Sequence, residues 1–191
     1  YDSGDWRATW SGEGGGVLLN QCPHQLDLWQ WICGLPVKIH AKMKYGKWHD
    51  IEVEDDVTAY FEYEGGATGM FITTTGETPG TNRLEVSGTK GKLVCENEQL
   101  FFYENAVDSQ VYSRTTDKGF EKPDCPVVQV EPDSKGGQHK WIINNFTAAI
   151  LGKEELFVDG KEGINGVELM NAIEYSGWKG GIRVELPVDE D

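Results

Sequence analysis

Residues 14–34 read GGGVLLNQCPHQLDLWQWICG, and this stretch decides how the chain begins to fold. Its apolar side chains recur at helical spacing, which predicts an amphipathic helix from Asn20 to Cys33. Asn20 is the expected N-cap of this helix, since its side chain can accept a hydrogen bond from a free backbone N–H group. Pro23 is tolerated in the first turn, where its missing N–H has no partner to lose, and Gly34 ends the helix.

After this helix the hydropathy period changes to two, which predicts a series of strands. Short turns join them, and Gly65-Gly66 is a strong signal for a two-residue hairpin. Consecutive strands joined in this way pair antiparallel. The predicted strands are Val37–Tyr45, Val57–Glu64, Ala67–Thr75, Arg83–Ser87, Lys92–Glu96 and Leu100–Glu104.

The remaining segments predict the layers around this sheet. Residues 105–138 are polar and indicate a long surface loop with one short strand at Val127–Val130. Upstream, residues 5–10 fit a short strand or an extended lead-in. The last predicted elements are helices at Gln138–Leu151 and Lys161–Trp178 and a strand at Arg183–Leu186.

The order of elements predicts an α+β fold over residues 1–191, taken as a single domain. It consists of a large, mostly antiparallel open sheet with helices packed on one face. A nucleotide-binding Rossmann fold would alternate strands and helices, and this sequence does not.

Composition and charge exclude several classes of partner. The net charge is −15, which disfavours binding to nucleic acid or to anionic membranes. No apolar run approaches the length of a membrane span, and no signal peptide is visible, so the default location is cytoplasmic. The cysteines are scattered and the histidines lack ligand spacing, so no metal is expected.

A polar stripe on the first helix is the best candidate for a functional site. Asn20, His24, Asp27 and Trp31 are spaced by four, three and four residues and therefore share one face of a helix. The glycines before it let a ligand or another backbone approach the positive end of the helix. His24 suits a base that takes a hydroxyl proton near neutral pH. A capped helix whose histidine bonds a neighbour explains the same spacing without any catalysis.

The run Gly14–Asp27 resembles the Gfo/Idh/MocA oxidoreductases, named for glucose–fructose oxidoreductase and inositol dehydrogenase. Those proteins carry Gly-Gly-x-Leu-x-(Asp/Asn)-x-x-x-His-x-x-Asp at the start of their second domain. The similarity continues through the turn at residues 88–93 and the closing run at 160–176, and so covers nearly the whole chain. The resemblance implies the substrate-binding C-terminal domain, similar to that of glyceraldehyde-3-phosphate dehydrogenase, with the nucleotide-binding half outside these 191 residues.

The resemblance also implies roles for individual residues. His24 is expected to act as the acid/base beside the substrate. Asn20 joins it in the catalytic pair, at a position where polyol-oxidising members have an aspartate, and an asparagine provides no charge there. The residues expected to contact the substrate are Gln21, Asp27, Arg7 and Trp10, and those expected to contact the cofactor are Gly15 and Gly16. Core packing for Trp10 and a surface salt bridge for Arg7 remain alternatives.

The implied partners are a sugar, inositol or related polyol, NAD or NADP, and the protein's own N-terminal Rossmann domain. A second copy is expected to pack on the open sheet face, giving a homodimer or tetramer, and the 191-residue chain alone is expected to be inactive. A second interpretation is a non-catalytic carbohydrate-binding or scaffold module that stacks sugars on tryptophans. The tryptophans that favour it are Trp6, Trp10, Trp29, Trp31 and Trp48.

Overall fold

The structure is a computed structural model that describes residues 5–131 and 138–188. The helices in this part of the chain are α1 Val17–Asn20, α2 Pro23–Cys33, α3 Ser109–Thr115, α4 Gln138–Ile150 and α5 Gly163–Trp178, with a 3-10 turn at Gly160–Glu162 before α5. The strands are β1 Lys38–Tyr45, β2 Glu54–Glu62, β3 Thr68–Thr74, β4 Arg83–Gly88, β5 Gly91–Glu96, β6 Gln99–Glu104, β7 Val127–Val130 and β8 Val184–Glu185.

All strand pairings within the described residues are antiparallel, which confirms the predicted α+β class. Hydrogen bonding divides the strands into a first sheet of order β3-β2-β1-β8 and a second sheet of order β4-β5-β6-β7. The segment between β3 and β4 contains Gly76, Pro79 and Gly80, residues that interrupt a ladder. The chain correspondingly forms two compact units, one of Tyr1–Thr78 with Ala148–Asp191 and one of Pro79–Thr147.

The core of the first unit lies between the first sheet and its helices. The inward side chains of β1, β2 and β3 alternate with outward ones, as the period-two pattern predicts. Helix α5 packs on β1, and α1 packs on β2 and β3. Buried residues of α1, α2 and α5 share one core cluster with the inward residues of these strands, so the three helices cover one sheet face. The fully or nearly fully buried core side chains include Ile39, Ala41, Val57, Ala59, Phe61, Leu169, Ala172 and Ile173.

A buried serine ties α5 to the edge of β1. Strand β8 pairs only with Lys38 and Ile39, so the N–H of Ala41 has no strand partner on that side. The Ser176 hydroxyl accepts a hydrogen bond from this N–H at 2.8 Å and donates one to the carbonyl of Ile182 at 2.6 Å. One buried hydroxyl therefore satisfies two backbone groups where the sheet ends.

The hairpin between β2 and β3 is longer than predicted. The N–H of Tyr63 donates to the carbonyl of Ala67 at 3.0 Å, which leaves three loop residues between them. Gly66 has φ +79°, the left-handed conformation that a three-residue hairpin loop requires near its end. The Gly65-Gly66 signal therefore located the turn correctly, but the two-residue length was wrong.

Two further expectations about local structure were wrong. Residues 5–10 form turns and no strand. The segment at 105–138, expected to be a loop with one strand, also contains α3. Helix α3 begins where the Asp108 carboxylate accepts hydrogen bonds from the N–H groups of Gln110 and Val111, at 2.9 and 3.2 Å. Helix α3 is short and has no apolar stripe, so the hydropathy period did not predict it. Its N-terminus is stabilised by the Asp108 cap.

The helix predicted from Asn20 is split in two. Helix α1 ends at Asn20, and α2 begins at Pro23 with Cys22 as its N-cap residue. The prediction of Asn20 as the N-cap was therefore wrong. Pro23 explains the break, because it lacks an N–H to continue the α1 ladder but fits the first position of a new helix. None of the helices in the described ranges is long and apolar enough to cross a lipid bilayer.

Substitution of Ser176 by alanine tests the tie between α5 and β1. The change leaves the buried Ala41 N–H without its partner and removes the hydrogen bond to the Ile182 carbonyl, so we expect Ser176→Ala to lower the free energy of unfolding by about 1–3 kcal/mol. Urea unfolding followed by tryptophan fluorescence measures this difference. The matched control is Ser87→Ala at an exposed strand position, which we expect to change stability by less than about 0.5 kcal/mol. Equal stability of the two variants would contradict this assignment.

Candidate active site

The glycine segment before α1 is held by a buried carboxylate from β2. Glu54 is fully buried, and both of its carboxylate oxygens accept from the N–H of Gly16 at 2.8 Å. The same carboxylate accepts from the N–H of Leu18 at 2.9 Å. A Cβ added to Gly16 would lie 2.0 Å from the Glu54 carbonyl oxygen, so only glycine fits this contact.

The positive end of α1 therefore meets an anion of its own chain. An external ligand or another backbone was expected at this point, and the backbone and the carboxylate of Glu54 lie there. Gly15 and Gly16, the two residues expected to contact the cofactor, are both buried. The N–H of Gly16 is already satisfied within the chain.

A second carboxyl group faces Glu54 from α5. Burial, followed by the charge of Glu54 and a hydrogen bond to it, raises the pKa of Glu174 to about 8. At neutral pH Glu174 therefore retains its proton and bonds Glu54 as a neutral acid. Burial and these two carboxyl groups also raise the pKa of the Tyr45 phenol. The pair thus joins α5 and β2 beneath the start of α1.

Cys22, the N-cap residue of α2, is buried near Glu54. Its Sγ donates to the carbonyl of Val17 at 3.0 Å. Burial, with a smaller contribution from Glu54, raises the pKa of the Cys22 thiol to about 12. The thiol remains protonated at neutral pH, so Cys22 serves as a small packed side chain and not as a nucleophile.

His24 stands on the exposed face of α2. It follows Pro23 in the first turn of the helix, and its side chain is exposed. Asp27 and Trp31 are also exposed, whereas Leu26 and Gln30 are buried. The Asp27 Oδ1 accepts from the Gln30 Nε2 at 3.0 Å, which fixes the Asp27 carboxylate on the helix surface. The part of the predicted stripe that lies within α2 is therefore open to solvent.

Asn20 and Gln21 lie where α1 ends and the chain turns into α2. Both are exposed, and Asn20 is the last residue of α1. The Asn20 Nδ2 donates to the Oε1 of Glu13. The other carboxylate oxygen of Glu13 accepts from the N–H of Ala8 at 2.8 Å. The neutral amide of Asn20 is thus paired with the carboxylate of Glu13, a residue without a predicted role.

Trp10 is engaged by its own chain. Its ring centroid lies 5.5 Å from that of Trp178 and 6.1 Å from that of Tyr45. Its backbone N–H donates to the Glu52 Oε1 at 2.6 Å. Packing explains this half-buried side chain without a substrate.

Arg7 lies on the exposed part of the same lead-in segment. Its guanidinium carbon is 5.0 Å from the centroid of the Trp6 ring, a cation–π contact in place of the salt bridge considered from the sequence. Both side chains are exposed. The Arg7 side chain is therefore exposed to solvent, whereas the Trp10 side chain packs on Trp178 and Tyr45.

Sequence reasoning missed the three glutamates that organise this region. Glutamate side chains ordinarily mark solvated positions, but Glu13, Glu54 and Glu174 each contact a residue elsewhere in the sequence. The sequence offered two signals for Glu54. One is the run of acidic residues just before the predicted strand Val57–Glu64, and the other is the three consecutive glycines at residues 14–16, which allow another group to approach closely. The partner on α5 gave no such signal.

The raised pKa of Glu174 predicts a pH-dependent stability. Between the ordinary glutamate value of 4.5 and the folded value of about 8, the folded chain holds one proton that the unfolded chain releases. Stability therefore falls as the pH rises through this window. Glu174→Gln, which still donates to Glu54, removes that contribution and flattens the profile. Urea unfolding at pH 5, 6, 7 and 8 measures the free energy of unfolding of both proteins.

The control for this experiment is Glu64→Gln, which removes the same charge at an exposed position of the β2–β3 hairpin. We expect its pH profile to run parallel to that of the unmodified chain. A constant difference between the unmodified chain and Glu174→Gln across the four pH values would disprove the assignment.

Comparison with known proteins gives a family for the first half of the chain. Residues 1–94 match the family described as the GFO/IDH/MocA C-terminal domain. No curated protein matches the chain.

Solved structures resemble the chain over almost all of its length. The WlbA dehydrogenase from Bordetella pertussis, in complex with NADH and UDP-GlcNAcA, is 24% identical with a TM-score of 0.66, over 99% of this chain and 50% of that one. Aldose-aldose oxidoreductase from Caulobacter crescentus, complexed with glycerol, is 21% identical with a TM-score of 0.75, over 97% and 52%. Levoglucosan dehydrogenase, in complex with NADH and levoglucosan, is 19% identical with a TM-score of 0.69, over 95% and 53%.

These identities are low enough that the structural likeness speaks for the fold alone. The chain spans about half the length of the structures that it matches. The family match over residues 1–94 and the shared fold over the remainder agree with the resemblance stated from the motif at residues 14–27. Residues 1–94 therefore belong to the Gfo/Idh/MocA C-terminal domain family, and the chain as a whole shares the fold of the solved structures that it resembles.

Proposed function

We propose that this chain is the substrate-binding domain of an NAD(P)-dependent oxidoreductase that acts on a sugar, inositol or related polyol, with His24 as its acid/base. The observation that carries the proposal is the exposed imidazole of His24 in the first turn of α2, within a motif of the family. The two flanking polar residues, Gln21 and Asp27, are exposed on the same surface segment. The proposal assigns both to substrate binding.

The chemistry requires one group from this chain above all. Oxidation of a secondary alcohol removes a hydride from carbon and a proton from the hydroxyl. When bound, the nicotinamide accepts the hydride, and His24 takes the proton on an imidazole nitrogen. In the opposite direction the imidazolium returns that proton to the carbonyl oxygen. An imidazole is suited to both directions because its ordinary pKa lies close to neutral pH.

The residues of this chain fit only a limited part of a dinucleotide. All strand pairings in residues 5–131 and 138–188 are antiparallel, so this part offers no parallel strand–helix–strand unit for a pyrophosphate. Gly16 has its N–H occupied by Glu54, and Gly15 is buried beside it. We propose that these glycines bring the backbone close to the nicotinamide end, while a separate N-terminal Rossmann domain binds the rest of NAD or NADP.

The proposed substrate class follows from the combination of hydrogen-bond donors and acceptors around His24. His24, Gln21 and Asp27 offer both donors and acceptors, as the hydroxyl groups of a sugar or polyol require. WlbA was solved with UDP-GlcNAcA and levoglucosan dehydrogenase with levoglucosan, which supports a carbohydrate-like substrate. The cytoplasmic location stays a prediction.

The role of His24 is tested in the complete protein, with this chain joined to its nucleotide-binding half. The probes are NAD or NADP with levoglucosan, glucose and a UDP-linked sugar. We expect His24→Asn to lower kcat by about 10²- to 10⁴-fold, because the proton then lacks a positioned base. His139→Asn, at an exposed position of α4, is the control and is expected to retain kcat. The chain of 191 residues alone is expected to show no turnover.

Two results would refute this proposal. One is turnover by the 191-residue chain without the other half. The other is a complete protein in which His24→Asn and His139→Asn have equal kcat values with every probe that is turned over.

The alternative function, a non-catalytic carbohydrate-binding or scaffold module, is favoured by one observation. Trp31 is 70% exposed on the face of α2 that carries His24, and such a ring can stack on a sugar. Trp29, by contrast, donates its indole N–H to the Tyr63 hydroxyl at 2.7 Å and packs on Phe61. Sugar binding that survives His24→Ala but is lost in Trp31→Ala, without turnover by the complete protein, would favour the alternative.

We further propose that a second copy covers the open face of the first sheet. Tyr60 and Met70 are directly opposite each other on β2 and β3, and Ile72 follows Met70 on the same face. Met70 and Ile72 are 57% and 65% exposed. An apolar patch of paired side chains on an open sheet is typical of an interface. The proposed assembly is a homodimer or a tetramer built from it.

Ile72→Glu tests this assembly. A carboxylate in the centre of the patch would be buried without a partner, so we expect the variant to be monomeric where the unmodified chain is dimeric or larger. Light scattering coupled to size exclusion, over a range of concentrations, measures the mass. Ile32→Glu introduces the same group at an exposed isoleucine of α2 and is expected to associate normally. An unmodified chain that stays monomeric at every concentration would overturn the proposal.

A further inference from the structure

Glu13 holds two groups at once, and both of its carboxylate oxygens are used. Its Oε2 accepts from the N–H of Ala8 at 2.8 Å, and its Oε1 accepts from the Nδ2 of Asn20. Its own N–H donates to the carbonyl of Thr9 at 2.9 Å, which fixes the backbone from which the side chain extends. Glu13 therefore links the turn before the glycine segment to the end of α1.

This arrangement decides which way the Asn20 amide faces. A carboxylate has no hydrogen to donate, so it pairs only with the NH₂ side of an amide. The backbone N–H of Ala8 cannot be reversed, and it occupies the other oxygen of Glu13. The Oδ1 of Asn20 consequently lies on the side of the amide away from Glu13, and the Asn20 side chain is exposed. The orientation follows from donor and acceptor chemistry, not from shape.

We propose that Glu13 is a positioning residue that makes Asn20 present its Oδ1 acceptor to a substrate hydroxyl on the segment that carries His24. The inference rests on the proposed function and deepens it. Asn20 is four residues before His24 and ends α1 directly ahead of the turn into α2. An acceptor at this position selects a substrate group that donates a hydrogen bond, such as a ring hydroxyl. A carboxylate or carbonyl oxygen is disfavoured there, because two acceptors would meet.

The near-isosteric change Glu13→Gln separates orientation from packing. A glutamine has one acceptor oxygen, and the fixed N–H of Ala8 takes it. The NH₂ group of the glutamine then faces Asn20, whose amide must turn its Oδ1 inward to be paired. The same site now presents the donors of Asn20 to the substrate. Size, shape and the number of hydrogen bonds are retained.

Addition of Asn20→Asp to this variant restores an outward acceptor. In E13Q/N20D the glutamine NH₂ donates to one carboxylate oxygen, and the other oxygen faces outward. In N20D alone, two carboxylates confront each other across the Glu13 contact, which is unfavourable. The double variant is therefore expected to recover what each single variant loses. A merely structural role for Glu13 does not produce this reciprocal rescue.

The first measurement needs no activity and uses the 191-residue chain. The side-chain amide of Asn20 is assigned in a ¹⁵N–¹H spectrum by its absence from N20D. We expect one of its protons to exchange with solvent about tenfold more slowly, or slower still, than in Glu13→Gln, because a hydrogen bond to a charged acceptor protects it. Glu64→Gln is the control and leaves this exchange unchanged. Equal exchange in the unmodified chain and Glu13→Gln overturns the proposal.

The second measurement uses the complete protein with the same carbohydrate probes and a nicotinamide nucleotide. We expect kcat/KM to fall by about tenfold or more in E13Q and in N20D, and to recover most of this loss in E13Q/N20D. Recovery with the single variants impaired supports the proposal. A double variant no better than either single variant, or an E13Q protein with unchanged kcat/KM, overturns it while leaving the role of His24 intact. Absence of turnover with all probes removes the proposed function, and with it the role of Asn20 toward a substrate, whereas the amide spectrum still decides the Glu13–Asn20 bond.

Discussion

The approach of the Gly16 backbone to Glu54 is the constraint on which the candidate site depends. The added Cβ distance of 2.0 Å leaves no room for any side chain, and the Glu54 carboxylate takes the N–H groups that open α1. A buried carboxylate is unfavourable unless its oxygens accept hydrogen bonds. The Glu54 carboxylate makes three N–H···O contacts with the backbone of Gly16 and Leu18, and it also bonds the neutral Glu174. Because the inward side chains of β2 belong to the buried core, the start of α1 is fixed to the core of this unit.

Only α1 and the turn into α2 separate the Gly16–Glu54 contact from His24. Helix α1 has four residues, and Pro23 prevents it from continuing into α2. The break lets α2 take its own direction, so that Leu26 enters the core while His24 remains exposed. A continuous helix from Asn20 would have tied the exposed face of α2 to that of α1. The proline therefore separates the residues that anchor the segment from His24, the residue proposed as the acid/base.

Periodicity predicted the elements well, because it reports burial on one face and depends on local spacing. The eight residues of β1, the paired strands after it, and helices α4 and α5 lie close to their expected positions. Periodicity could not predict contacts between carboxyl side chains and residues far away in the sequence. Glu54 bonds Gly16 across 38 residues, and its partner Glu174 lies on the last helix. Charged side chains are usually solvated, so a sequence alone gives no reason to place two of them in one core.

The residues of the candidate site were chosen from the sequence and their roles stay predictions, whereas the contacts that they make were not predicted. His24 and Asp27 were identified from helical spacing, and both are exposed on α2 as that spacing requires. Asn20 was singled out as a residue without a charge, and the structure pairs it with the carboxylate of Glu13. Position 20, which lacks the charge of an aspartate, thus places a neutral amide next to the charged carboxylate of Glu13.

An exposed imidazole in water has little control over proton transfer, since solvent competes for its hydrogen bonds and screens its charge. The proposed second domain therefore does more than deliver a nucleotide: by excluding water from the surface around His24 it would give the Asn20 acceptor and the His24 base the low-dielectric surroundings in which hydrogen bonds discriminate between substrates.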